Sequence, residues 1–114
     1  MVDPMRQRVS EAQWQRVVTD AATLYGWEWL HVHPLLTRDG EYRTPTSGSL
    51  ARGWVDLLLV KGARVIGAEL KAADGRLTRA QRDVHERIRD AFPVYTWRPS
   101  DLPAVLEVLQ GAAR

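Results

Sequence analysis

Two apolar runs, Trp54 to Lys61 and Arg64 to Lys71, stand back to back with only Gly62-Ala63 between them. This arrangement constrains the chain more than any other feature, because strand-forming residues on both sides of a two-residue, glycine-first break read as a tight β-hairpin. Leu57 and Leu59 alternate with Leu58 and Val60, so both faces of the hairpin should be covered, as in a sheet sandwiched by helices. The hairpin also sets a register. With Lys61 opposite Arg64, counting back along both strands puts Asp56 directly across from Glu69. Opposed residues have Cβ atoms roughly 4.5–5.5 Å apart, where two like charges are destabilising unless a proton or a cation lies between them. A divalent cation is the economical resolution, since two carboxylates with water and a substrate phosphate describe how Mg²⁺ is usually held. Lys71, two residues beyond Glu69, points to the same face. A carboxylate pair with an adjacent ammonium suits phosphodiester hydrolysis, the metal lowering the pKa of water and the lysine stabilising developing charge. A plain surface ion pair of Lys71 with Glu69 accounts less well for a trio set among apolar neighbours.

The rest of the chain supplies the helices that such a sheet needs. Ser10 with Gln13 is a capping-box pattern, and Trp14, Val17, Val18, Ala21 and Tyr25 recur at helical spacing until Gly26. Trp27 to His33, rich in aromatic and β-branched residues and stopped by Pro34, reads as a short strand. Residues 35 to 53 carry turn chemistry, including Asp39-Gly40, Pro45, Ser47-Gly48 and Gly53, and are expected to form a long loop with a use of its own. Past the hairpin, Asp74-Gly75 marks a turn. Thr78 caps a second helix with Leu77, Ala80, Val84, Ile88 and Ala91 on its buried side, ending before Pro93. Val94 to Trp97 is a further strand, and Pro99 to Pro103 leads into a last amphipathic helix carrying Val105, Leu106 and Leu109. The order α, β, loop, β, β, α, β, α predicts an α/β sandwich with a mixed sheet. Residues 1 to 9 read as a polar lead-in and 10 to 114 as one domain.

Composition acts mainly by exclusion. The 114 residues are 45% hydrophobic and 26% charged, the balance of a globular protein and not of a disordered scaffold. The longest charge-poor apolar stretch, Leu57 to Val60, falls far short of the roughly 20 residues that cross a bilayer. Met1 to Arg8 lacks the apolar run of a secretory signal, and there is no cysteine for a disulfide or a thiolate metal site. The expected compartment is the cytoplasm. Net charge is only +2, yet 14 of the 16 basic residues are arginine, whose planar fork matches phosphate geometry. That permits a nucleic-acid partner without requiring one.

Gly53-Trp54-Val55-Asp56-Leu57-Leu58-Leu59-Val60 followed by Glu69-Leu70-Lys71 resembles the PD-(D/E)xK nuclease motif. From about residue 10 to 109 the chain is similar to the virus-type replication-repair nuclease (VRR-NUC) domain in its compact stand-alone phage form. The resemblance extends to Glu11 near the start of the first helix and to Leu77-Thr78-x-x-Gln81 after the Glu-x-Lys strand. Val55 stands where the motif's name has proline, a position that shapes the strand entry and not the metal site. The resemblance implies a restriction-endonuclease-like sandwich, a mixed sheet flanked by helices. It further implies a Mg²⁺- or Mn²⁺-dependent endonuclease selective for branched DNA such as Holliday junctions, serving phage recombination and DNA repair in a bacterial or phage-infected cell, with stand-alone members acting as homodimers. On this reading the metal is held by Asp56, Glu69 and the backbone carbonyl of Leu70, with Glu11 joining through a water. Catalysis then falls to Asp56, Glu69, Lys71 and Gln81, and the products are 5′-phosphate and 3′-hydroxyl ends.

The supporting residues each have a simpler explanation beside the functional one. Glu11 gains from the positive end of its helix dipole wherever it points, although it lies three residues before Trp14 and so borders the core side. Gln81 completes a capping box with Thr78 and also shares the inward stripe with Leu77, Val84 and Ile88. Arg76, Arg79 and Arg82 make a basic ridge suited to phosphate contacts, or a solvated face interleaved with Asp83 and Glu86. Arg52, with Arg38 and Arg43 in the long loop, and His33 at a strand end are further candidates for DNA contact. His31, His33 and His85 are expected outside the metal site, and the tryptophans in core or interface packing more than as base-stacking platforms. Cutting both strands of a junction symmetrically needs two sites, which predicts a two-fold homodimer. A catalytically silent DNA-binding or assembly module is the alternative, weakened by opposed carboxylates that a retired site has no reason to keep. A sequence-specific restriction enzyme fits the trio equally but leaves little surface for base readout.

Overall fold

The computed structural model describes residues 9–32, 35–36, 42–43 and 47–111, with the backbone alone at 35–36 and 42–43. Helix α1 (Glu11–Leu24) opens with a closed capping box: Ser10 Oγ accepts the Gln13 N–H at 3.1 Å and Gln13 Oε1 accepts the Ser10 N–H at 2.9 Å. Strand β1 (Glu28–His31) follows. Residues 35–53 are not wholly turn, because Leu35–Leu36 (β2) and Tyr42–Arg43 (β3) form a separate antiparallel ladder. Strands of two residues show no periodicity for a sequence to display.

The hairpin of β4 (Leu57–Lys61) and β5 (Arg64–Leu70) has the expected register, with Lys61 across from Arg64 and Leu57 across from Ala68. Gly62 has φ +59° and Ala63 no positive φ, the glycine-first turn that matches strand twist. Helix α2 (Arg79–Ile88) starts on a second closed capping box between Thr78 and Gln81. Strand β6 (Val94–Trp97), a 3₁₀ turn (Pro99–Asp101) and helix α3 (Leu102–Leu109) complete the described chain. Sheet order is β1-β4-β5-β6, antiparallel except for the parallel β5–β6 pair. The result is a mixed four-stranded sheet with helices on both faces.

Strand parity decides which helix each residue meets. Leu57, Leu59, Ile66, Ala68 and Leu70 pack against Trp14, Val18 and Ala22 of α1 and Val105, Val108 and Leu109 of α3 in the larger core. Trp14 and Trp27 satisfy their buried indole N–H groups on the carbonyls of Trp97 and Leu109, each at 2.9 Å. Trp97 is buried in the same core, whereas Trp54 is half-buried and Trp29 exposed. On the opposite face Val55, Val84, Ile88 and Val94 form a smaller cluster with Trp54 and Phe92. Coverage is therefore uneven: Leu57 and Leu59 are fully buried, while Leu58 and Val60 are half-buried.

Two expected core positions are exposed, and one residue not assigned to the core is buried. Val17 is 40% exposed, the helix turning Val18, Thr19 and Ala22 inward instead. Ala91 is exposed because α2 ends at Ile88 and a turn carries the chain to Pro93. His85 takes a buried place on α2 that the sequence reading left unassigned. No helix among the described residues is long and apolar enough to cross a membrane.

Candidate active site

One position beyond Leu57 and Ala68 in the hairpin register lie Asp56 and Glu69. The structure ties them together: Asp56 Oδ2 accepts the Leu70 N–H at 2.8 Å, and the Asp56 carbonyl accepts the Val32 N–H at 2.8 Å. Asp56 is thus held through its backbone on the β1 side and through its carboxylate on the β5 side. Glu69, opposite in parity to Ala68 and Leu70, turns toward α2 and is only 2% exposed. A buried carboxylate needs partners, and α2 and the end of β5 supply them. Gln81 Nε2 donates to Glu69 Oε2 at 3.0 Å, and Lys71 Nζ lies 3.4 Å from the same oxygen.

Gln81 makes two kinds of contact. Its Oε1 accepts the Thr78 N–H at 2.9 Å, closing the capping box, while its Nε2 reaches Glu69. Lys71 is fixed from behind, its N–H donating to the Trp97 carbonyl at 3.0 Å. The turn after it is pinned by the Arg98 guanidinium, which donates to the Gly75 carbonyl from Nε at 3.2 Å and Nη2 at 2.6 Å. With its side chain 15% exposed, Lys71 sits at the rim of the site.

Electrostatically the arrangement is unbalanced. Burial first, and then the facing Asp56 carboxylate, push the Glu69 carboxyl from 4.5 up to about 8, and Lys71 offsets this only in part. Glu69 Oε1 is buried and makes no hydrogen bond. Two opposed carboxylates with one lysine beside them are short of positive charge, which fits a hard, oxygen-preferring divalent cation. The protein's share of such a site is small. Among the described residues no three His, Cys, Asp or Glu side chains form a group suited to a metal ion, so the Asp56–Glu69 pair would rely on backbone, water and substrate oxygens for the rest.

The other expected residues fall around this centre. Leu70 is buried, with its amide engaged by Asp56. Glu11 is exposed on the first turn of α1 and is not gathered into a three-residue group with the pair. Arg52, Arg76, Arg79 and Arg82 are exposed, and Arg82 Nη1 donates to the Leu77 carbonyl at 3.2 Å. His33 lies outside the described residues.

His85, which the sequence leaves out of the metal ligands, lies next to Glu69. It is 0% exposed, its Nε2 lies 3.7 Å from Glu69 Oε1, and neither ring nitrogen makes a hydrogen bond. Burial and the nearby Arg89 lower its pKa, although the Gly53 backbone favours the protonated ring. One signal for it was present in the sequence: His85 follows Gln81 by four residues and therefore shares its helix face.

Fold and site together define an α/β domain with a mixed sheet that carries a carboxylate pair, Glu69 buried and Asp56 half-buried, with lysine and glutamine partners on Glu69. Compared with protein-family models, curated proteins and solved structures, the chain finds no match in any of the three.

Proposed function

We propose that this chain is a metal-dependent, structure-selective DNA endonuclease of the restriction-endonuclease-like fold, akin to the VRR-NUC domain. The observation that carries the reading is the Asp56–Glu69 pair in hairpin register, with Lys71 and Gln81 both on Glu69 Oε2. Asp56 and Glu69, with the Leu70 carbonyl, would hold Mg²⁺ or Mn²⁺, and Glu11 would join through water. The chemistry such an ion supplies when bound is to make water more acidic and to neutralise charge on phosphoryl oxygens. Lys71, at the rim, places an ammonium where it can meet the negative charge that builds on the phosphate. Gln81 holds Glu69 in orientation. In the hydrolysis a water oxygen bonds to phosphorus, the bond from phosphorus to the 3′ oxygen breaks, and that oxygen takes up a proton, leaving 5′-phosphate and 3′-hydroxyl ends.

The exposed Arg52, Arg76, Arg79 and Arg82 supply cations for the DNA backbone, which positions a duplex without reading its sequence. A branched substrate and a two-fold homodimer follow from the VRR-NUC resemblance, since two sites are needed to cut a junction symmetrically. The setting implied is the cytoplasm of a bacterial or phage-infected cell. The test is cleavage of an end-labelled four-way junction, a flap and a plain duplex in Mg²⁺ and in Mn²⁺, with Lys71→Ala run alongside. Junction cutting that is lost in Lys71→Ala is the expected result. DNA binding without cutting of any substrate in either metal would overturn the proposal in favour of a silent binding module.

A further inference from the structure

The buried side-chain nitrogens and oxygens that lack a hydrogen bond among the described residues are Glu69 Oε1 and the two ring nitrogens of His85. Two of these atoms are neighbours. His85 Nε2 stands 3.7 Å from Glu69 Oε1, with the side chains 0% and 3% exposed. That separation leaves no room for a bridging water and is about 0.5 Å beyond hydrogen-bond range. Leaving both groups unpaired in the interior is costly, and a small closure satisfies both at once.

The two oxygens of Glu69 have different surroundings. Oε2 accepts from Gln81 and faces Lys71 at the rim, whereas Oε1 faces inward to His85. Gln81 and His85 are four residues apart on α2, so one helix face addresses both oxygens of a single carboxylate. Resting on the metal-site reading above, we propose that His85 is a positioning residue: its Nε2–H donates to Glu69 Oε1, commits that oxygen to the interior and leaves Oε2 as the one presented to a cation beside Asp56. Groups that hold a ligand from behind set its orientation, and their loss typically weakens metal affinity about 10- to 100-fold.

Mn²⁺ alone is the probe, its uptake by the whole chain read from loss of the free-ion paramagnetic resonance signal. The proteins are wild type and the His85→Leu, His85→Gln and His85→Asn variants. Glutamine can put an amide N–H near the Nε2 position and asparagine cannot. Wild type and His85→Gln are expected to bind with similar affinity, and His85→Asn and His85→Leu about 10- to 100-fold more weakly. Should His85→Leu fail to fold, the comparison of glutamine with asparagine decides. Equal affinity in every variant overturns the proposal, as does a glutamine variant as weak as the asparagine one. A folded wild type that takes up no Mn²⁺ overturns the metal-site reading itself, and this inference with it.

Discussion

Burial and the facing Asp56 carboxylate push the Glu69 carboxyl up to about 8 from 4.5. Without divalent ions the folded chain therefore keeps a proton on Glu69 that the unfolded chain releases near 4.5. The stabilisation from that proton is complete below about 4.5 and gone above about 8, so on this account stability falls as pH rises between the two. Glu69→Gln is neutral throughout and removes this component of the slope. Urea unfolding midpoints in EDTA at about pH 5 and about pH 8 check it: wild type should lose ground to the variant as pH rises. Much of the site was legible at this scale. A two-residue turn fixes register, which puts Asp56 opposite Glu69, and parity puts Lys71 on the same side. His85 was legible only in its four-residue spacing from Gln81, which puts both on one helix face; its burial against Glu69 depends on the sheet beneath it.

At the scale of elements, the site depends on how closely α2 approaches the entry to β4. Gly53 has φ +108°, and a Cβ there would run into the Ala80 carbonyl oxygen and stand 2.6 Å from the Ala80 carbonyl carbon and 2.9 Å from the Gln81 nitrogen. Gly48 has a similar φ of +110° but nothing within 4 Å. Gly48→Ala therefore measures backbone strain alone, about 1–2 kcal/mol. Gly53→Ala adds a steric clash with α2 and should cost more, on the order of 3 kcal/mol or above. Urea unfolding of both variants checks the difference, and equal costs would show that α2 is not held by this contact. The long elements could be read from caps and apolar spacing, including both capping boxes. The β2–β3 ladder and the early end of α2 could not, because two-residue strands have no period and the last helical turn competes with Pro93 and its approach to the sheet.

For the molecule as a whole, the uneven layering explains where the site is. The larger core lies beneath α1 and α3, and the smaller cluster beneath α2 leaves room on that face for a polar site. Glu69 is in the interior, Asp56 half-buried, Lys71 at the rim and the arginines outside, so charge runs from a buried carboxylate to exposed cations. A cation placed at the pair should bind the folded chain and not the unfolded one. At a hundred times its dissociation constant such an ion stabilises by about 2.7 kcal/mol, on the order of 10 °C in Tm for a domain of this size. The most direct measurement is therefore the Tm of wild type and Glu69→Gln at pH 8 in EDTA and in Mg²⁺ or Mn²⁺. A clear rise in Tm with metal is expected for wild type and little or none for Glu69→Gln. A wild-type Tm that neither ion moves would contradict the metal-site reading.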